Sequence, residues 1–189
     1  MTKVMIIVGS VRPGRIGLPI ARWVNEIAEN DGRFEIDFAD LADIALPLMD
    51  EPKHPRLRQY EHEHTIAWSK RVAAADAFIL VTPEYNHSFS PAIKNALDYL
   101  SVEWNRKPVA FVAYGGVSGG TRGVVALAEV LACLGMVKTH ANVELHLAMT
   151  KVTDGAFAGD ERQAAGVKAI LDEFSQLAPA LAELRAEAK

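Results

Sequence analysis

The sequence predicts an α/β fold in which one parallel five-stranded sheet is covered by helices on both faces. Three observations predict it. Short, continuously apolar runs rich in Val, Ile and Ala recur along the chain, as in strands buried on both sides. Between them lie segments whose apolar residues return every three or four positions, the spacing of an amphipathic helix. The two kinds of segment alternate, as parallel strands joined by helical crossovers must.

Lys3 to Val8 is the first strand and ends at Gly9-Ser10. A helix follows from about Gly17 to Asn30, with Ile20, Trp23, Val24 and Ile27 as its apolar stripe. Pro19 is tolerated there because it sits in the first turn. Phe34 to Phe38 alternates and reads as strand two, and Pro47, Pro52 and Pro55 make residues 45–58 irregular. A helix is expected from about Gln59 to Ala75, strand three over Ala77 to Thr82, and a helix over Pro91 to Leu100. Pro108 to Tyr114 is strand four, and Gly120 to Leu134 is a helix stopped by Gly135. Strand five covers Val137 to His140 and extends toward Leu147, with His140, Asn142, Glu144 and His146 on a wet face. A last helix spans about Glu161 to Leu184, with a kink at Pro179. Right-handed crossovers and this count fit the flavodoxin-like strand order 2-1-3-4-5. A length of 189 residues suits one such domain, over residues 1–189.

Composition narrows the function. Lys plus Arg is 20 and Asp plus Glu is 24, a net charge of −4 that argues against a nucleic-acid partner or a basic membrane-binding face. No apolar run reaches the roughly 20 residues needed to cross a bilayer. The N-terminal apolar stretch reads as a strand rather than a signal peptide, so a cytoplasmic location is expected. The single cysteine, Cys133, excludes an internal disulfide and a Cys-cluster metal site, and its apolar surroundings predict a small buried hydrophobe. His62 and His64 lie two apart and, on a helix, would face different ways rather than form a metal pair. Ser10, Ser88 and Ser118 lack the Gly-x-Ser-x-Gly elbow of a nucleophile. Trp23 reads as core, and Trp68 and Trp104 as core or interface.

In such sheets ligands bind beyond the carboxyl ends of the strands, where the strand order reverses. Three loops there carry ligand chemistry. After strand one, residues 9–17 read GSVRPGRIG. Glycines allow close backbone approach, the helix N-terminus offers free N–H groups, and Ser10, Arg12 and Arg15 add donors for phosphate oxygens. The loop lacks the Gly-Lys-Ser/Thr of a Walker A motif and is not the GxGxxG dinucleotide turn. After strand three, residues 82–91 read TPEYNHSFSP, mixing flat apolar Tyr85 and Phe89 with polar Asn86, His87 and Ser88, as a planar heteroaromatic ligand requires. After strand four, residues 114–123 read YGGVSGGTRG, with five glycines in nine residues and Arg122 as a further anion partner. Together the three loops point to a phosphate-bearing aromatic cofactor.

The motifs GSVRPGRIG, TPEYNHSFSPAIKNALDYL (residues 82–100) and YGGVSGGTRG resemble those of the NADPH-dependent FMN reductase family, which includes quinone, azo-dye and chromate reductases. The order and spacing of elements fit that family from about residue 1 to residue 176. The resemblance implies that Ser10, Arg12, Arg15, Ile16 and Gly17 hold the FMN phosphate. It implies that Pro83, Glu84, Tyr85 and Asn86 line the isoalloxazine, and that Gly115, Gly116, Ser118 and Gly119 close its other side. It implies NADPH or NADH as electron donor, small-molecule acceptors, and a ping-pong cycle of hydride transfer carried by the flavin rather than by a catalytic triad. It also implies a homodimer or homotetramer, with residues 46–52 (LPLMDEP) as a protruding interface stretch. Helix Ala92 to Leu100 and Trp104 are further interface candidates. One departure is His87-Ser88-Phe89, where many members carry a small residue such as Gly.

Two other classes are weighed against this one. A flavodoxin-type electron carrier would bind FMN without nicotinamide turnover, but its phosphate loop is usually rich in Ser and Thr rather than Arg. A response-regulator receiver needs an acidic cluster after strand one, where Gly9-Ser10 stands.

Overall fold

The computed structural model describes residues 1–187. Its elements in chain order begin with β1 (Thr2–Val8), α1 (Gly17–Asp31), β2 (Phe34–Asp40), the short α2 (Leu41–Ile44) and α3 (Glu63–Ala74). They continue with β3 (Ala77–Pro83), α4 (Pro91–Asp98), β4 (Pro108–Tyr114), α5 (Thr121–Cys133), β5 (Val137–Lys138) and β6 (Val143–Leu145). A small hairpin, β7 (Val152–Thr153) and β8 (Ala156–Phe157), precedes α6 (Glu161–Glu187).

The main sheet is parallel in the order β2-β1-β3-β4-β5, with β6 also paired to β4. Residues alternate between two cores because successive side chains of a strand point to opposite faces. Val4, Ile6 and Val8 of β1 and Ile79 and Val81 of β3 pack with Ile20 and Val24 of α1 and Val167, Ile170 and Phe174 of α6. Met5, Ile7, Phe78, Leu80, Val109 and Phe111 pack on the other face with Trp68 of α3, Ile93 and Leu97 of α4, and Leu127 and Leu131 of α5. Burying each such large side chain stabilises the fold by roughly 1.5–3 kcal/mol. No helix among the described residues is long and apolar enough to cross a membrane.

Several expectations are corrected by tertiary detail. The fifth strand is split. Thr139 N still donates to Val109 O at 2.9 Å, but residues 140–142 leave the ladder because Glu173 of α6 accepts the amides of His140 and Ala141 at 2.8 and 2.6 Å, while the Asn142 side chain accepts Phe111 N at 3.3 Å. Helix α3 starts at Glu63 rather than Gln59 because Glu51 accepts the amides of Glu61 and His62 and holds them outside the helix. His62 is therefore the extended N-cap, and its ring stacks on His64 with centroids 5.2 Å apart instead of facing away. Cys133 is exposed: the buried stripe of α5 is Val124, Leu127 and Leu131, and Cys133 falls off it. Trp104 is fully buried against Phe78 and Trp68, with Nε1 donating to Leu97 O, so it lies in the core and not at an interface. Helix α6 is assigned unbroken across Pro179 and reaches Glu187. Asp154 and Gly155, both at positive φ, make the two-residue turn between β7 and β8. Phe157 of that hairpin packs edge-on against Trp23.

Candidate active site

The C-terminal ends of β1, β3 and β4 bring the three loops to one edge of the sheet. The first loop is shaped by close packing. Gly9 N donates to Val81 O at 2.9 Å, and a Cβ on Gly9 would meet Ile93 Cδ1 at 2.2 Å, so only glycine fits there. Arg15 N bonds back to Arg12 O across Gly14, whose φ is +69°. Ile16 caps α1 with no side-chain hydrogen bond, so the first amides of that helix have no capping side chain to satisfy them. The Ile16 side chain packs against the core rather than lining the loop.

Two buried polar atoms in this region have no hydrogen-bond partner among the described residues: Arg15 Nε and Tyr114 Oη. Buried polar groups are nearly always paired, so each orphan calls for an occupant. Tyr114 ends β4, and its hydroxyl lies 2.3 Å from where a Cβ on Gly17 would stand. Burial pushes the phenol well above its ordinary value, so it stays a neutral donor. The other end of the Arg15 guanidinium is held by Asp40, with Nη2 to Oδ2 at 2.5 Å. Arg12 is exposed. A phosphate in this loop would meet Ser10, the Arg12 and Arg15 guanidiniums and the free amides of α1, and the Tyr114 hydroxyl would find a partner on the same ligand. The residues present fit FMN.

The second loop is a tight reversal. Tyr85 and Ser88 exchange N–H···O bonds of 2.9 Å, with Asn86 and His87 between them at φ +50° and +68°. Non-glycine residues in that region are uncommon, and two in succession make the turn that aims Tyr85. Tyr85 Oη and Ser10 Oγ share a hydrogen bond of 2.7 Å, which joins the second loop to the first. Ser90 adds another tie: its hydroxyl donates to Gly9 O and accepts Ile93 N as N-cap of α4.

Glu84 joins the second loop to the third. Its carboxylate accepts from Ser118 Oγ at 2.8 Å, Arg122 N at 3.1 Å and Arg122 Nε at 2.6 Å. Burial opposes its charge, but the bonds from Arg122 and Ser118 prevail and hold the carboxyl below its ordinary value. Arg122 is thus engaged by Glu84 within the loop. Gly119 and Gly120 sit at φ +63° and +97°, and Gly120 lies too close to Ala113 and Tyr114 to carry a Cβ. His146 covers Gly119 and shares a 2.8 Å bond between its Nδ1 and Val117 O. Gly116 faces open space.

Ser10, Arg12, Arg15, Ile16, Gly17, Pro83, Glu84, Tyr85, Asn86, Gly115, Gly116, Ser118 and Gly119 therefore all lie on this one edge. Their roles differ from a uniform lining: Pro83 is buried at the end of β3, Glu84 and Ser118 bond to each other, and Ile16 turns into the core. Sequence reasoning missed Tyr114 and Ser90 as site residues and Asp40 as the partner of Arg15. Tyr114 stood in a quoted motif, but only folding brings its hydroxyl beside Gly17. No group of three or more His, Cys, Asp or Glu among the described residues is arranged to hold a metal.

Residues 2–149 match the sequence profile of the NADPH-dependent FMN reductases. An NAD(P)H-dependent FMN reductase of a Nectria species is 35% identical over 184 residues, covering 94% of this chain and 87% of that protein. An NAD(P)H-dependent FMN reductase of Schizosaccharomyces pombe is 44% identical over 120 residues, covering 62% of this chain and 60% of that one. Among solved structures, the flavoenzyme NAD(P)H:(acceptor) oxidoreductase FerB of Paracoccus denitrificans superposes with a TM-score of 0.73 at 25% identity, covering 95% of this chain and 98% of that one. With a profile match over 148 of its 189 residues and a fold in common with a solved flavoenzyme, this chain belongs to the NADPH-dependent FMN reductase family.

Proposed function

We propose that the chain is an FMN-dependent NAD(P)H oxidoreductase whose cofactor sits across the three loops. The observation that carries this reading is the pair of orphaned buried atoms, Arg15 Nε and Tyr114 Oη, beside the uncapped start of α1. FMN, when bound, would supply hydride-transfer chemistry between NADPH or NADH and a small-molecule acceptor, in a ping-pong order.

The chain's own residues orient and neutralise. Arg12 and the amides at the start of α1 hold the phosphate, with Ser10 and Tyr114 as hydroxyl donors and Arg15 kept in place by Asp40. Tyr85 and Asn86 stand beside the ring, aimed by the tight turn between Tyr85 and Ser88. The backbone amide at Gly116 offers a donor to its polar edge, while that of Gly115 is taken by Leu145 O, and the Glu84–Arg122 pair fixes the third loop around it. No side chain is asked to be a general base. The open face at Gly116 suits flat acceptors such as quinones, azo compounds or free flavin. Family relatives named as an azoreductase and as a benzoquinone reductase support that class.

The working unit we propose is a homodimer or homotetramer in the cytoplasm. In support, Leu48 in the 46–52 stretch is 85% exposed beside a groove of about 450 Å³ whose apolar walls include Leu41, Leu46, Pro91 and Ala92. Light scattering on the FMN-loaded protein checks the number of chains.

The activity is tested by anaerobic titration of FMN-loaded protein with NADPH and then NADH. Rapid bleaching of the flavin absorbance by one or both is expected. Bound FMN that neither nucleotide bleaches would make the chain an electron carrier instead.

A further inference from the structure

A group of basic residues lies at the opposite end of the sheet. A cavity of about 590 Å³ opens beside Lys107, which immediately precedes β4, and is lined by Arg58, Glu103, Arg106 and Arg185 among others. Tyr114 ends the seven-residue β4 that starts just after Lys107, about 20 Å away at the usual rise of a strand.

The charges around this cavity are unbalanced. Lys107 is 5% exposed, and its Nζ donates to Val72 O at 2.9 Å and Ala73 O at 3.1 Å. No carboxylate among the described residues lies within 4 Å of it. Burial pushes its ammonium down to about 8 and Arg185 pushes the same way, while Asp76 and Glu103 partly oppose the shift. Arg106 bonds to Leu184 O, a neutral acceptor. Arg185 donates to Arg106 O at 2.6 Å and stands 3.6 Å from Asp76. Arg58 stands 3.6 Å from Glu103, whose oxygens are already taken by Tyr60 and Ser69 hydroxyls and Ser101 N. Among the described residues, four cations thus stand at the cavity with two carboxylates, Glu103 in its lining and Asp76 beside Arg185, in a chain whose net charge is −4. Of the four, Lys107 is buried, Arg106 and Arg185 are half-buried and Arg58 is exposed, so most of the excess positive charge stands at the solvent side of the cavity.

We propose that this cavity binds a compact polyanion, inorganic pyrophosphate or the diphosphate of a nucleotide, on Lys107, Arg58, Arg106 and Arg185. The planar guanidinium forks match phosphate oxygens two at a time, and Lys107 supplies a point charge at the floor. Within the chain Lys107 caps α3, Arg58 and Arg185 reach carboxylates only at 3.6 Å, and Arg106 bonds a neutral carbonyl, so the cluster keeps donors for a ligand. The site does not depend on the flavin reading.

The test is isothermal titration calorimetry at pH 7 on FMN-saturated protein, so that the phosphate loop is filled, with inorganic pyrophosphate and, separately, ADP. Saturable binding of one anion per chain is expected, weakened at least ten-fold in Arg58→Ser and in Arg185→Gln. Arg58 is exposed, so its replacement leaves the fold intact, and FMN affinity measured in parallel should not change in either variant. Binding of pyrophosphate without ADP assigns the free diphosphate; binding of ADP assigns the nucleotide. No saturable heat with either probe overturns the proposal, and so does binding that both variants leave unchanged.

Discussion

Tyr114 carries the sharpest single-residue test. Its buried hydroxyl makes no well-formed hydrogen bond, although Ser10 lies close enough to act on it, so the cost in the empty protein is at most about 1–3 kcal/mol. Tyr114→Phe removes that cost, so the FMN-free protein should melt no lower than the wild type. The same change removes a donor to the cofactor, worth about 0.5–1.5 kcal/mol, so FMN should bind roughly 2- to 10-fold more weakly. Calorimetric melting and a fluorescence titration read the two effects. Glu84 gives a pH-dependent test. The unfolded carboxyl titrates near 4.5 and the folded one lower, because Arg122 and Ser118 hold the charged form. Its contribution is therefore complete above about pH 4.5 and is lost as the pH falls through the folded value. Glu84→Gln should be less stable than wild type at pH 7, and urea unfolding should show the gap narrowing as the pH falls below about 4.5. The types of these residues were legible from the motifs. Their pairings, Arg15 with Asp40 and Glu84 with Arg122, were not, because each joins segments brought together only by the sheet.

At the scale of elements, boundaries were legible where one local rule decides them. β1 and β4 are buried on both faces, so their apolar runs end where the strands end. α5 stops as expected because Gly135 adopts φ +71°. The fifth strand was not legible, since the residue that splits it, Glu173, lies some thirty positions later on another helix. The β7–β8 hairpin did leave a signal: Asp154-Gly155 is a common two-residue turn. Cys133 misled because an apolar neighbourhood in sequence does not say which side of a helix is buried. α4 carries an element-scale prediction. Ser90 caps it and also holds Gly9 O, so Ser90→Ala should cost about 1 kcal/mol through the cap alone. The added release of Gly9 should weaken FMN binding as well, which a purely local cap would not do.

The whole molecule is polar in its organisation: ligand loops at the carboxyl ends of the strands, and a basic cavity at the other end. Lys107 links that cavity to global stability. Its ammonium titrates at about 8 when folded and 10.5 when unfolded, so between these values the unfolded chain holds more protons. Stability conferred by Lys107 must then rise with pH across that window. Relative to Lys107→Met, the wild type should gain up to roughly 3 kcal/mol from pH 8 to pH 10.5, measured by urea unfolding in an anion-poor buffer. At the loop end, the fold and the general position of the site were legible because strand order alone places ligands there. What anchors the ligand is a finer matter: the phosphate loop, with its free amides and Arg12, must do more than the ring-facing loops. One titration tests this directly. Cofactor-free protein is titrated into FMN and, separately, into riboflavin, which has the same ring and no phosphate, while flavin fluorescence is followed. Saturation at one FMN per chain, with riboflavin at least ten-fold weaker, is the expected result; equal affinity for the two flavins, or no binding of FMN, would contradict the assignment of the site.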